Sequence, residues 1–291
     1  MLIFGLGYSA GVLAARLRGE TAVGGWSLRA TGRSGDLDFA DRDAVEAALA
    51  GSSHVLSSVP PDPAATGQGG GDPVLAAYGE ALAASGAWLG YLSSTGVYGD
   101  TGGAWVDESA AIGTGRRTAR AEADLAWQAL GARVFRLPGI YGPGRSPLDR
   151  VANGAAHRID LASLPGGSGQ VFSRVHVADI ASGVIAGFAG PPGVYNLADD
   201  LPASQNAVIE EACRILGREP PPMQSLAEAQ LSPMAAAFYA ENRRVANGKA
   251  KRVLGWTPKF PTYVEGLRAL SASTSPASAS AAPAPASSDQ R

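Results

Sequence analysis

From its fifth residue the chain reads Gly5-Leu6-Gly7-Tyr8-Ser9-Ala10-Gly11, directly after the short apolar run Leu2 to Phe4. Ala10, Leu13, Ala14 and Leu17 then fall on one face at helical spacing. A glycine turn between a strand and an amphipathic helix leaves few folds open. Gly5 permits the tight turn, Gly7 lets the backbone approach a pyrophosphate, and Ala10 keeps the helix close to the sheet. The helix N-terminus offers unpaired amide hydrogens and a positive dipole end to phosphates. Alone, G-x-G-x-x-A is weak; after a strand and opening a helix it has the context of a dinucleotide fingerprint. The bland alternative is a strand–helix turn that binds nothing.

Short apolar runs go on alternating with helical stretches. Leu28 to Thr31, His54 to Val59, Trp88 to Ser93 and Arg133 to Leu137 read as strands. Val45 to Leu49 lies in a short helix and Pro73 to Ser85 in a longer one; Thr118 to Leu130 follows, with Ala119, Ala123, Ala126 and Leu130 in register. Such alternation implies right-handed crossovers and an α/β, Rossmann-type doubly wound parallel sheet. After Pro138 the pattern loosens. Gln170 to Val177 looks extended, Asp179 to Phe188 helical, and Ala203 to Leu216 is a helix stopped by Gly217. The expected division is a dinucleotide-binding core over 1–140 and a smaller C-terminal substrate lobe with returning sheet elements over 141–270. The Ala/Ser/Pro stretch 271–291 cannot bury a core and is expected to be disordered.

Composition limits the partners. With 291 residues, 45% hydrophobic and 17% charged, the chain is ordinary for a globular enzyme. A net charge of −2 with no basic stripe argues against nucleic acid. No apolar run is long enough to span a bilayer. The chain enters its glycine loop at once, leaving no room for a signal peptide, so the expected compartment is the cytoplasm. The single cysteine, Cys213, sits in an amphipathic stretch and reads as a buried thiol. Oligomeric state is left open, a homodimer included.

The end of the second strand bears on the cofactor. NAD-binding proteins place an acidic residue about 20 residues past the loop, against the ribose hydroxyls. This chain has Thr31-Gly32-Arg33-Ser34 there. A guanidinium at Arg33 pairs well with a 2′-phosphate, favouring NADP over NAD, with Ser34 beside it; the competing reading is a solvated surface arginine.

From Ser93-Ser94-Thr95-Gly96-Val97-Tyr98-Gly99 onward the chain resembles the extended short-chain dehydrogenases/reductases, the NAD-dependent epimerase/dehydratase family. Asp107-Glu108, Arg136-Leu137-Pro138-Gly139-Ile140-Tyr141-Gly142-Pro143-Gly144, Val175-His176-Val177-Ala178-Asp179, Tyr195-Asn196-Leu197-Ala198-Asp199-Asp200 and Leu254-Gly255-Trp256-Thr257-Pro258 resemble further landmarks in family order. The resemblance runs from Met1 to about Leu270. It implies that Ser94 hydrogen-bonds the substrate oxygen at the reacting carbon. It also implies that Ser57, Ser58 and Val59, at a strand end, lie along the cofactor with Gly5, Gly7, Tyr8, Ser9 and Ala10.

The family's Tyr-x-x-x-Lys pair is missing. The only lysines are Lys249, Lys251 and Lys259, and none of the eight tyrosines has a lysine four residues later. Aligning on Glu122 puts Thr114 and Thr118 at the two positions, and a threonine hydroxyl has no accessible pKa. The chain thus resembles an atypical member without the dyad. Tyr98 and Tyr141, just past strand ends, are the candidate proton donors, with Arg116, Arg117 or Arg120 able to lower a tyrosine pKa; each also reads as packing or a solvated helix face. Arg145 and Arg174 are expected to flank the cleft and suit an anionic substrate group. His176 reads as structural rather than catalytic, Asp179 as a cap of the following helix, and no metal-ligand spacing is visible. The expected function is NADP(H)-dependent oxidoreductase or epimerase-like chemistry on a small polar, anionic or sugar-nucleotide-like substrate. The alternative is a non-catalytic NADP(H)-binding sensor.

Overall fold

The computed structural model describes residues 1–19, 25–62, 71–113, 118–164, 170–231, 236, 239 and 241–274. The first half supplies β1 (Leu2–Phe4), α1 (Tyr8–Gly19), β2 (Arg29–Ala30), α2 (Arg42–Ala50), β3 (His54–Ser57), α3 (Pro73–Ala84) and β4 (Trp88–Ser94). A short pair strand β5 (Trp105–Val106), α4 (Thr118–Ala129) and β6 (Arg133–Leu137) follow. The remainder is β7 (Gly139–Tyr141), α5 (Pro147–Ala152), β8 (Arg158–Ile159), β9 (Arg174–His176), α6 (Val177–Ala186), β10 (Gly193–Asn196), α7 (Gln205–Leu216), β11 (Met223–Gln224), β12 (Arg244–Val245), α8 (Gly248–Leu254) and α9 (Tyr263–Thr274).

Six strands form one parallel sheet in the order β10-β6-β4-β3-β1-β2. Strand alternation sends Ile3, Leu56, Leu92 and Phe135 to one face, where Leu13, Leu17, Ile180 and Val184 of α1 and α6 cover them. Leu2, Phe4, Val55, Tyr91 and Val134 point the other way, under α2, α3 and α4 with Trp127. The sheet is therefore buried on both faces, and its strands read as nearly unbroken apolar runs. The α1 face agrees with the sequence: Ala10, Leu13, Ala14 and Leu17 are its buried residues. Helix α7 begins at an N-cap, Ser204, whose side chain accepts from the Ala207 amide, and stops at Gly217 in the left-handed conformation (φ 62°). With α5 and α9 it encloses a second core of Leu148, Val151, Ile209, Cys213 and Leu267.

Several expectations need correction. Helix α4 buries Ala121, Ala123, Asp124 and Trp127, not the Ala119/Ala123/Ala126/Leu130 stripe. Its inward face is chosen by polar bonds that apolar periodicity does not count: Asp124 meets Arg136, and the Trp127 indole donates to Asp72 (2.9 Å). Strand β3 ends at Ser57, short of Val59. Helix α6 starts at Val177, capped by His176 Nδ1, which accepts from Ala178 N (3.2 Å). Asp179 is not that cap; it accepts the Lys259 and Phe260 amides (2.6 and 3.1 Å) and ties α6 to the segment before α9. Helix α9 runs to Thr274, past the expected boundary at 270, and 275–291 lie outside the described residues.

Candidate functional site

The glycine loop is fixed from two sides. Thr31 receives the Leu6 amide on its carbonyl (2.8 Å) and the Gly5 amide on its hydroxyl (3.1 Å). From just past the end of β3, the Ser58 hydroxyl donates to the Gly5 carbonyl. Gly5 has φ +83°, and a Cβ there would stand 2.9 Å from Val59 Cγ2, so both conformation and space require glycine. At Gly7 nothing lies within 4 Å of a Cβ position. The space beside Gly7, next to the first turn of α1, is thus open. This cradle suits a pyrophosphate, and a nicotinamide dinucleotide fits it.

Arg33 and Ser34 are exposed just after Gly32, where the backbone turns (φ +105°) close to the loop. A Cβ on Gly32 would stand 3.2 Å from Leu6 N. Ser57 is fully buried and its hydroxyl accepts a long bond from Val59 N (3.4 Å); the Val59 side chain packs against Gly5. Ala10 is buried against the sheet.

Beside the loop opens a cleft of about 260 Å³. Gly7, Tyr8, Ser9 and Ser58 form its loop side. The ends of β4 and β6 bring Leu92, Ser93, Ser94, Leu137 and Pro138; Ile140, Arg120 and Arg145 complete it. Ser94 is half-buried, and its hydroxyl oxygen accepts from Gly96 N (3.1 Å), capping the short 3₁₀ turn Thr95–Tyr98. The hydroxyl proton stays available to donate into the cleft. Ser93 instead donates to Asp124 (2.5 Å).

Neither tyrosine proposed as proton donor lines this cleft. Tyr98 is 2% exposed; its hydroxyl donates to Asn196 Oδ1 (2.8 Å) and accepts from Arg136 (3.0 Å). Burial pushes its pKa up. Tyr141 pairs in register with His176 in the β7/β9 ladder and turns its ring away from the cleft, into the core of α5, α7 and α9. Burial first, then the Asp199 and Asp179 charges, holds its pKa far above the tyrosine range. Arg174 also lies away from the cleft: its guanidinium is buried and donates to the Phe172 and Ala203 carbonyls and to Gln205. Arg145 does line it, 5.2 Å from the centroid of the Tyr8 ring. So does Arg120; Thr114, Arg116 and Arg117 lie outside the described residues.

His176 is held neutral, its pKa pushed down to about 4 by burial and then by Lys259. No group of three or more His, Cys, Asp or Glu able to hold a metal occurs among the described residues. Among them, too, no helix is long and apolar enough to cross a membrane.

The site also includes a buried polar network that no local sequence pattern announces. Arg136 makes two hydrogen bonds to Asp124 (2.8 and 3.0 Å) with both side chains buried, and Ser93, Gln128, Tyr98 and Asn196 complete the network directly behind Ser94. Its trace in the sequence is Arg136 set between the apolar Phe135 and Leu137 within β6.

No protein-family model matches the chain. A conserved protein of unknown function from Silicibacter pomeroyi is 41% identical, over 94% of this chain and 98% of its own, with a TM-score of 0.78. The human epimerase family protein SDR39U1, solved with NADPH, superposes with a TM-score of 0.69 over 94% of this chain and 99% of its own, at 16% identity. A curated relative, 3-diazoavenalumate denitrifying reductase from a Streptomyces species, is 31% identical over 163 residues, 53% of this chain and 52% of the relative. The chain thus spans about half the length of the curated relative it matches.

Proposed function

As a member of the same family as the Silicibacter pomeroyi protein, built on the extended short-chain dehydrogenase/reductase fold, the chain is, we propose, an NADP(H)-dependent reductase acting on a small substrate bound beside Ser94. The observation that carries this reading is that Ser94 and the glycine loop line one cleft, with no acceptor for the serine hydroxyl among the described residues. A bound nicotinamide dinucleotide supplies the hydride. The chain's own residues do the rest. The N-terminus of α1 holds the phosphates, Arg33 meets the 2′-phosphate, and Ser94 donates to the substrate oxygen. Leu92, Leu137, Pro138 and Ile140 keep water from the reacting face. NADPH beside the human fold relative and the word reductase in the Streptomyces relative's name support the same choice.

Calorimetric titration tests the cofactor. Arg33→Ala is expected to weaken NADP+ about tenfold or more, the worth of a charge-assisted hydrogen bond, and to leave NAD+ unchanged. Equal affinities for NADP+ before and after the substitution would remove the arginine from the argument. Turnover tests the enzyme: NADPH consumption is followed with a panel of carbonyl compounds. Ser94→Ala should lower kcat/KM on any compound that is reduced, about tenfold or more, with NADP+ affinity retained.

A second reading, a non-catalytic NADP(H) sensor, is favoured by the lining itself. Among its residues only Tyr8 is a phenol, its hydroxyl donates to Pro143 O (3.0 Å), and burial raises its pKa. Tight NADPH binding without consumption across the panel would select the sensor.

A further inference from the structure

The cleft carries two cations and no anion: Arg120 and Arg145 are among its lining residues, with no aspartate or glutamate. Neither forms an ion pair among the described residues. Building on the dinucleotide reading above, we propose that the two guanidinium groups serve two different anions: Arg145 the cofactor's pyrophosphate, and Arg120 the carboxylate of a small, largely apolar acid that is the substrate.

Arg145 belongs to the loop side. Its guanidinium lies 5.2 Å from the centroid of the Tyr8 ring, and Tyr8 is the first residue of α1. The Tyr8 hydroxyl donates to Pro143 O (3.0 Å), so the turn bearing Arg145 is fastened to the phosphate loop. That turn is itself closed by reciprocal bonds between Gly142 and Arg145 (3.0 and 3.3 Å). Gly142 must be glycine, because a Cβ there would stand 2.7 Å from the Tyr8 hydroxyl and 2.6 Å from Val177 Cγ1. An anion on the first turn of α1 therefore meets backbone amides on one side and a guanidinium on the other, the arrangement that a pyrophosphate satisfies.

Arg120 belongs to the other side. It is the third residue of α4, whose first turns are locked to the end of β4 by the Ser93–Asp124 bond (2.5 Å). It lies by the buried Tyr91, which is held by stacking on Trp127 (5.3 Å, 8°). The acid whose field it shares, Asp72, is spent elsewhere: one oxygen accepts the Val74 and Leu75 amides (2.9 and 3.0 Å) and the other accepts Trp127 Nε1 (2.9 Å). The neighbouring walls are mixed: Leu92, Leu137, Pro138 and Ile140 are apolar, and Ser58, Ser93 and Ser94 are polar. A neutral substrate would leave this half-exposed cation without a counter-charge in the cleft, and a cationic one would be repelled. A carboxylate on an apolar body satisfies both the charge and the walls, and brings its reactive carbon beside Ser94.

The test is a pair of titrations on the full chain. NADP+ is titrated first; cinnamate and its neutral counterpart cinnamamide are then titrated into the NADP+-saturated protein. The parent is expected to prefer cinnamate about tenfold or more. Arg120→Gln should abolish that preference while NADP+ affinity stays within about twofold; Arg145→Gln should weaken NADP+ about tenfold and keep the preference. Thermal unfolding of each variant checks that it is folded. Equal binding of acid and amide by the parent, binding of neither, or a preference that survives Arg120→Gln overturns the assignment of Arg120. Unchanged NADP+ affinity in Arg145→Gln overturns the assignment of Arg145. A parent that binds no NADP+ in the first titration overturns the dinucleotide reading itself, before either acid is added.

Discussion

Asp124→Ala is expected to destabilise the protein by about 3–5 kcal/mol, because it strands the Arg136 guanidinium in the interior. Both side chains of the pair are at most 3% exposed. Asp124 is also the acceptor for Ser93 and Gln128, so three donors lose their partner at once. In a chain of this size the loss corresponds to a fall in melting temperature of about 10 °C. Replacing Asp124 and Arg136 together by apolar residues of similar volume should recover much of it, since the single change leaves an uncompensated charge and the double change does not. Urea unfolding of the single and double variants measures both. A cost below about 1 kcal/mol for the single change would mean that the network is not what fixes α4 against the sheet.

The second large effect depends on pH. Asp199 is 2% exposed, and among the described residues neither carboxylate oxygen has a partner at good hydrogen-bond geometry. Burial pushes its pKa up to about 8; the nearby Arg174 charge and backbone amides pull the other way without restoring it. A carboxyl whose pKa is raised in the folded state binds its proton more tightly there than in the unfolded chain. Its contribution to stability therefore falls as pH rises from about 4 to about 8, and is constant above that. Asp199→Asn removes this dependence. The variant is expected to be more stable than the parent by about 2–4 kcal/mol at pH 8, with the difference shrinking steadily toward pH 5. Chemical unfolding of the two proteins at several pH values isolates Asp199, because other titrating groups cancel in the comparison. A difference that stays constant between pH 5 and 8 would show that Asp199 is ionised in the folded protein throughout.

The legibility of this chain follows the range of the interactions involved. Helix α1 and the loop before it were readable because glycine, strand and apolar stripe lie within 17 residues of one another, and local periodicity is what a sequence displays directly. Helix α7 was readable for the same reason, down to its terminating Gly217. Helix α4 was misread in register because its inward face is chosen by Asp124 and Trp127, whose partners Arg136 and Asp72 lie on other elements. Tyr98 and Tyr141 illustrate the corresponding limit at the site. Proximity to a strand end placed them near the cleft, but a residue's parity in its ladder decides which side it faces. Tyr141 shares the side of Arg174 and His176, whereas Ile140, one residue earlier, packs toward the cleft. Ser94, the last residue of β4, is legible only through the family resemblance, and Arg145 stands four residues past β7, where sheet pleat no longer sets the direction of the side chain.

The edge strand β10 has a consequence for how this chain can be divided. It comes from residues 193–196, beyond the whole middle of the sequence, yet it closes the sheet against β6, with Asn196 opposite Arg136. A gene fragment ending near residue 140 would carry the glycine loop and α1 and still present β6 as a bare margin, a row of unpaired backbone groups that invites another chain. It would also leave the Tyr98 hydroxyl without Asn196. Splitting, permuting or fusing the protein at the apparent join between its halves should therefore yield an aggregate rather than a small nucleotide-binding module. Each half was shaped to be finished by the other.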